Sequence, residues 1–407
     1  MLKQEYSSKN LSKIIRHKHV FSWNMWHNNS EKNRILQEYA DEINQNDYLT
    51  GEIIVQMFNG KNTYRPELAV DFLKLKLTNY FIKRIYKVSQ ADRRKIIKQI
   101  KIMLSDGSPY KLLKLDISDF YESIPLSTMI NRLKDDMLLC GKGLNFLESL
   151  QNKIQNLPEK YRIDGLPRGI DVSATLSELF MLAIDREIKK IPEVFFYARY
   201  VDDIIIMHSS VQDVLIRQCK EIISLNNLKI NESKMEIISF EEDNVSKRTF
   251  DFLGYRFSIM PKLDDRMGKK IEVDIAEKKI NKLKKRIVHS FISYVKDNDL
   301  GLLKCRLRFL TGVVRLQKST QGTLCAGNAF NYSELTSCKT LHILDGFVRN
   351  LLLRNTSRLE KLVFSKLSET QKNDLLKISF AKGYESRLTM NYTRNQAKKI
   401  RNAWRAL

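Results

Sequence analysis

An α+β fold follows from three observations. Short apolar runs carry acids at their ends, first Leu112–Leu113–Lys114–Leu115–Asp116–Ile117 and later residues 195–207, where Asp202 and Asp203 interrupt an aromatic and apolar run. Helix-length segments with 3.6-residue apolar periodicity separate these runs, residues 173–185 being the clearest. Beyond about residue 273 the chain becomes Lys-rich and reads as a separate helical domain reaching residue 407.

Taken in order, residues 1–60 are polar and basic and read as mostly helical, pinned to the body by Phe21, Trp23 and Trp26. A helix is expected to open at Pro66, because the fixed φ of proline suits a first helical turn. Residues 92–100 form an amphipathic helix with a basic face. Residues 111–117 are a strand, followed by a turn and the aromatic pair Phe120–Tyr121. Residues 126–160 read as helical, with a loop around Gly141–Lys142–Gly143. Gly165–Leu166–Pro167–Arg168–Gly169 is a rigid turn opening onto the helix at 173–185. Residues 195–207 read as strand, turn, strand, with the acids at the tip. A helix over about 210–226 precedes an edge-like strand at 234–240, and another hairpin covers 250–257. From 111 to 240 the order is β, α, α, ββ, α, β, which suits an antiparallel sheet with helices on one face in a ferredoxin-like arrangement.

Composition narrows the partner. Lys and Arg total 70 against 47 Asp and Glu in 407 residues, a formal charge of +23. A polyanion is favoured: nucleic acid first, since phosphate neutralisation dominates its non-specific binding, and an anionic membrane surface second. No apolar run reaches bilayer-spanning length, and the N-terminus lacks a signal-peptide core. The five cysteines are odd in number and form no CxxC pair. They argue against a disulfide framework or a structural zinc site and fit a reducing cytoplasm.

The acids carry the chemistry. Like charges held close raise each other's pKa, so a fold keeps Asp202 beside Asp203 for a reason, and divalent metal binding is the foremost one. An ordinary surface turn is the alternative, but the flanks are too apolar for it. Set beside Asp116, the pair would make a two-metal site for phosphoryl or nucleotidyl transfer. Lys87, Arg93 and Arg94 precede this centre and could hold a triphosphate; a solvated helix face explains them equally well.

With these motifs in hand, the chain resembles a reverse transcriptase. The resemblance is best over about 80–260, with looser similarity in the helical remainder. Residues Asp116 to Tyr121 resemble the first catalytic motif, 165–169 with the following helix the second, and Tyr200–Val201–Asp202–Asp203 the third. Residues 228–234 resemble the fourth, and Phe252–Leu253–Gly254–Tyr255 the primer-grip hairpin. A closer resemblance, to bacterial antiviral-defence and abortive-infection reverse transcriptases, rests on residues 106–110, 120–124 and 167–178. Arg168 stands where many relatives have Gln.

The resemblance implies a right-hand polymerase fold. An N-terminal extension and fingers would cover 1–110, a palm 111–272 with a finger insertion around 126–165, and a helical thumb and C-terminal region 273–407. It implies an RNA-directed DNA polymerase of the bacterial cytoplasm, acting in antiphage defence and joining dNTPs to a 3′ or protein hydroxyl. Template-independent or protein-primed DNA synthesis and a non-catalytic RNA-binding scaffold are the alternatives. Asp116, Asp202, Asp203 and the carbonyl of Ile117 would hold two Mg²⁺ ions, with Mn²⁺ as a substitute. Lys234 would neutralise triphosphate charge, Tyr121 would reject a 2′-hydroxyl, and Arg168 and Gly169 would line the nucleotide pocket. The implied partners are an RNA template, DNA product and dNTPs. A dedicated non-coding RNA and a second reverse transcriptase or further copies of the chain extend that set.

Overall fold

The computed structural model describes residues 2–404 other than 59, 107, 210–211, 241–246, 261–268 and 320–321. The side chain of Phe21 also lies outside the described residues. The fold is α+β and divides into two compact units, Met1–Asp92 with Pro109–Glu242 and Arg93–Ser108 with Asp243–Leu407. Among the described residues no helix is long and apolar enough to cross a membrane.

The first unit opens with α1 (Ser8–Ile14), α2 (His17–Ser22) and α3 (Asn29–Gln45). Asn28 caps α3 by accepting the Glu31 N–H at 3.0 Å. Trp23 packs on Phe72 with ring centroids 5.3 Å apart, and Trp26 lies against the same core. The expectation of a mostly helical stretch up to residue 60 is corrected by β1 (Ile53–Phe58), which pairs antiparallel with β2 (Lys61–Pro66). Phe58 faces Lys61, and Gly60 between them has a left-handed φ of +75°, which glycine adopts freely in a tight connection. Pro66 therefore ends a strand, and the helix begins later, as α4 (Ala69–Tyr86). That helix buries Val70, Leu73, Leu77 and Phe81.

The chain then passes through α5 (Arg93–Leu104) of the second unit and returns with β3 (Tyr110–Asp116). Next come α6 (Leu126–Asp135) and α7 (Gly141–Gln155). Gly141–Lys142–Gly143 is the first turn of α7, not a loop. After α8 (Asp171–Lys189) come β4 (Val194–Tyr200), β5 (Asp203–His208), α9 (Gln212–Leu225) and β6 (Glu236–Phe240). The sheet order is β4-β5-β3-β6, with every pair antiparallel. This is the ferredoxin-like order expected for a β, α, ββ, α, β chain. The two central strands supply its buried middle through Leu112, Leu113, Leu115 and residues 204–207. Helix α4 packs on α7 and α8, so one apolar core runs beneath the sheet and under the hairpin.

The second unit contains the antiparallel meander β7 (Arg248–Phe252), β8 (Tyr255–Ile259), β9 (Ile271–Ile275). Helices α10 (Glu277–Asp297) and α11 (Leu300–Thr311) follow. A wholly helical remainder is corrected here too. Strands β10 (Val313–Ser319) and β11 (Gly322–Ala326) form a hairpin, and β12 (Thr389–Tyr392) adds parallel to β10. The run Val313–Val314 suits a pleated strand, but its parallel partner comes from a remote part of the chain. Between them lie α12 (Asn328–Asn331), α13 (Lys339–Leu353), α14 (Arg358–Lys366), α15 (Glu369–Leu376) and α16 (Phe380–Glu385), and α17 (Arg394–Asn402) closes the order. Helices α14, α15 and α17 each start with a capping box, Ser357 with Glu360, Ser368 with Gln371 and Thr393 with Gln396.

Candidate active site

Strand register builds the centre of the site. In the β3–β5 ladder Asp116 lies directly opposite Asp203. In the β4–β5 hairpin Tyr200 lies opposite Asp203, leaving Val201 and Asp202 as the two loop residues. Val201 has φ +62° and Asp202 has no positive φ, the pattern of a type II′ turn. The Ile117 N–H donates to the Asp202 carbonyl at 3.2 Å. The turn is thereby tied to the residue that follows Asp116, and three aspartates lie at the end of two adjacent strands.

Their electrostatics are those of a crowded anionic site. Burial first, then the charges of Asp202 and Asp116, push the Asp203 carboxyl up to about 6. Burial and the neighbouring Asp116 charge also raise Asp202. Lys234 opposes this repulsion. Its ammonium donates to Asp116 Oδ1 at 2.8 Å and Oδ2 at 2.9 Å, which raises the lysine's own pKa. Asn231 holds the same aspartate twice, by its amide nitrogen at 3.3 Å to Oδ1 and by its N–H at 2.8 Å to the Asp116 carbonyl. Among the described residues no group of three His, Cys, Asp or Glu side chains is arranged to hold a metal ion.

A second wall is built by Tyr121, Arg168 and Gly169. Phe120 is buried, while Tyr121 is only partly so. Arg168 forks onto Glu122 with bonds of 2.7 and 2.8 Å, and its guanidinium carbon lies 5.0 Å from the Tyr121 ring centre. Gly169 has φ +96°, and a Cβ there would sit 2.7 Å from the Tyr64 carbonyl oxygen. The Arg168 carbonyl accepts the Tyr64 N–H at 2.7 Å, so this turn is zipped to β2. Glycine at 169 is what permits that approach.

These residues line a cleft of about 710 Å³ whose other cations were not singled out in the sequence: Arg16, Lys18, Lys61, Lys76 and Lys83. Lys61 comes from the β1–β2 hairpin and donates to Asp119 at 3.1 Å. Lys76 and Lys83 share one face of α4 through their seven-residue spacing, and Lys76 pairs with Asp171. Helical spacing is the sequence signal that relates Lys76 to Lys83; nothing local relates either to Lys61. Lys87 is the exposed left-handed C-cap of α4.

Arg93 and Arg94 belong to the second unit, where their guanidinium groups bind carbonyls. Arg93 donates to Leu253 O at 2.9 and 2.6 Å and to Asn331 O at 2.7 Å, and its guanidinium carbon lies 4.8 Å from the Tyr255 ring centre. Arg94 donates to Phe330 O at 2.9 Å. Phe252 and Tyr255 are buried and flank Leu253–Gly254, whose φ values of +48° and +81° suit a type I′ turn.

No curated protein matches the chain. Residues 56–257 match the family model described as reverse transcriptase (RNA-dependent DNA polymerase), and over that stretch the chain is homologous to reverse transcriptases.

Proposed function

We propose that the chain is an RNA-directed DNA polymerase that joins dNTPs to a 3′ or protein hydroxyl, releasing pyrophosphate. The observation that carries the reading is the register of Asp116 against Asp203, with Asp202 in the adjoining turn, inside the segment homologous to reverse transcriptases.

That homology implies use of a divalent metal. The donor chemistry suits one: three carboxylates, two of them with raised proton affinity, gain from a hard cation. Asp116, Asp202, Asp203 and the carbonyl of Ile117 would hold it. When bound, two Mg²⁺ ions would lower the pKa of the attacking hydroxyl and stabilise the leaving pyrophosphate. The chain's own residues do the rest. Lys234 offsets negative charge beside Asp116, Tyr121 sets the sugar pocket against a 2′-hydroxyl, and Arg168 with Gly169 shapes its wall. Lys61, Lys76 and Lys83 supply positive charge for phosphates.

The wider setting is proposed with it: fingers over 1–110, a palm over 111–272 and a thumb region over 273–407, acting in the bacterial cytoplasm against phage. An RNA template such as a dedicated non-coding RNA, and a second reverse transcriptase or further copies of the chain, are the partners in that setting. The antiphage role is supported by the motif resemblance at residues 106–110, 120–124 and 167–178.

The test is nucleotide incorporation by protein purified with its native nucleic acid. Labelled dNTPs are supplied with Mg²⁺, and products are digested with nuclease and protease and sequenced. RNase-sensitive synthesis copied from RNA supports the reading. Untemplated product redirects the reading to untemplated synthesis, while label retained on protein and released by protease identifies a protein hydroxyl as the primer. Tight RNA binding without incorporation favours a scaffold.

A further inference from the structure

Arg199 lies on β4, one residue before Tyr200 and three before Asp202, and is buried. All five of its N–H donors are engaged. Nε donates to Asp185 Oδ1 at 2.8 Å, and Nη2 to Asp185 Oδ2 at 2.9 Å and Glu178 Oε2 at 2.8 Å. Nη1 donates to Glu178 Oε1 at 3.3 Å and to the carbonyl oxygen of Val201 at 3.1 Å. Glu178 and Asp185 are seven residues apart on α8, two turns along one face. Tyr197 completes the cluster by donating to Asp185 at 2.6 Å.

The one backbone group in this cluster belongs to the strained residue of the turn. Val201 is β-branched and has φ +62°, where glycine is the usual occupant of a type II′ turn. Such a conformation persists only where its surroundings hold it. Two successive carbonyls of the turn are held from outside it: Val201 O by Arg199 and Asp202 O by the Ile117 N–H.

We infer that Arg199 is a positioning residue for Asp202. Its guanidinium, braced on Glu178 and Asp185, holds the Val201 carbonyl and keeps the strained turn in the conformation that sets Asp202 beside Asp116. A lysine could keep the charge but lacks the planar fork needed to reach two carboxylates and a carbonyl together. The inference rests on the proposed nucleotidyl-transfer reading for its catalytic consequence, though not for the turn itself.

The test compares the full-length protein with Arg199→Lys, Val201→Gly and the double variant, by hydrogen–deuterium exchange and by nucleotide incorporation. Arg199→Lys is expected to speed exchange across residues 197–206 about tenfold while α8 exchanges as before. It is expected to lower kcat about thirtyfold with KM for dNTP little changed. In the Val201→Gly background, where the turn adopts a positive φ freely, Arg199→Lys is expected to cost less than about threefold in kcat. Equal losses in both backgrounds, or unchanged exchange at the turn, would overturn the inference by leaving Arg199 an ordinary buried ion pair. Should Arg199→Lys not fold, Glu178→Gln loosens the same brace and is expected to speed turn exchange about threefold; unchanged exchange overturns the inference. A wild-type protein that incorporates no nucleotide defeats the functional reading, while the exchange arm still decides whether Arg199 holds the turn.

Discussion

Lys234 donates to both carboxylate oxygens of Asp116, at 2.8 and 2.9 Å, although the lysine side chain is 60% exposed and the aspartate side chain only 10%. The exposed cation therefore serves a buried anion. Lys234→Ala is expected to lower kcat/KM for dNTP by about 10²-fold, the scale seen when one preorganised charge-stabilising donor is removed. Because the lysine is largely exposed, unfolding free energy should change by no more than about 1 kcal/mol. Steady-state incorporation and urea unfolding check the two halves.

Asp203 gives a pH signature in the metal-free protein. Its folded pKa of about 6 lies above the ordinary 3.8, so between these values the folded state binds more protons than the unfolded one. Stability contributed by this group is therefore present at low pH and lost as pH rises through about 6. Asp203→Asn should stabilise the protein at pH 7 by about 1 kcal/mol, after allowing for solvent screening, and by almost nothing at pH 4. Denaturant unfolding at the two pH values measures it, and an equal effect at both would reject the assignment.

Tyr121 is partly buried under Arg168, whose guanidinium stacks 5.0 Å from the ring centre. Tyr121→Ala is expected to weaken discrimination against ribonucleotides by about tenfold or more, with smaller effect on dNTP incorporation. Competition between matched dNTP and rNTP reads this directly; unchanged selectivity removes the sugar-gate role.

Gly169→Ala combines a left-handed φ of +96° with a new Cβ 2.7 Å from the Tyr64 carbonyl oxygen. Backbone strain and the clash together should cost about 2–4 kcal/mol of unfolding free energy. A thermal or urea unfolding series checks it. Arg168→Ala supplies the contrast, since it removes the pair with Glu122 without demanding backbone movement.

What could be read in the sequence was what local periodicity encodes. Asp116, Asp202 and Asp203 stood out because acids ended runs such as Leu112–Leu113 and Ile204–Ile205–Ile206, and those runs are the central strands of the sheet. The hairpin at 53–66 is masked in the sequence by Pro66, which suits a helix start as well as a strand end. The sheet that joins Val313–Leu316 to Thr389–Tyr392 depends on a remote pairing that no local window contains. Nothing local in the sequence ties Arg199 to its partners; only the fold brings Glu178 and Asp185 to its guanidinium. The cationic cleft was hidden for the same reason, since Lys61, Lys83 and Tyr121 are far apart in the chain.

The central claim is that the acids at the β3 end and the β4–β5 turn perform nucleotidyl transfer. The most direct measurement is incorporation of labelled dNTPs with Mg²⁺ by wild type and Asp202→Asn, each purified with its native nucleic acid and matched in melting temperature. The account predicts DNA synthesis by the wild type and a loss of at least about 10³-fold in the variant. Equal incorporation by the two proteins would contradict it.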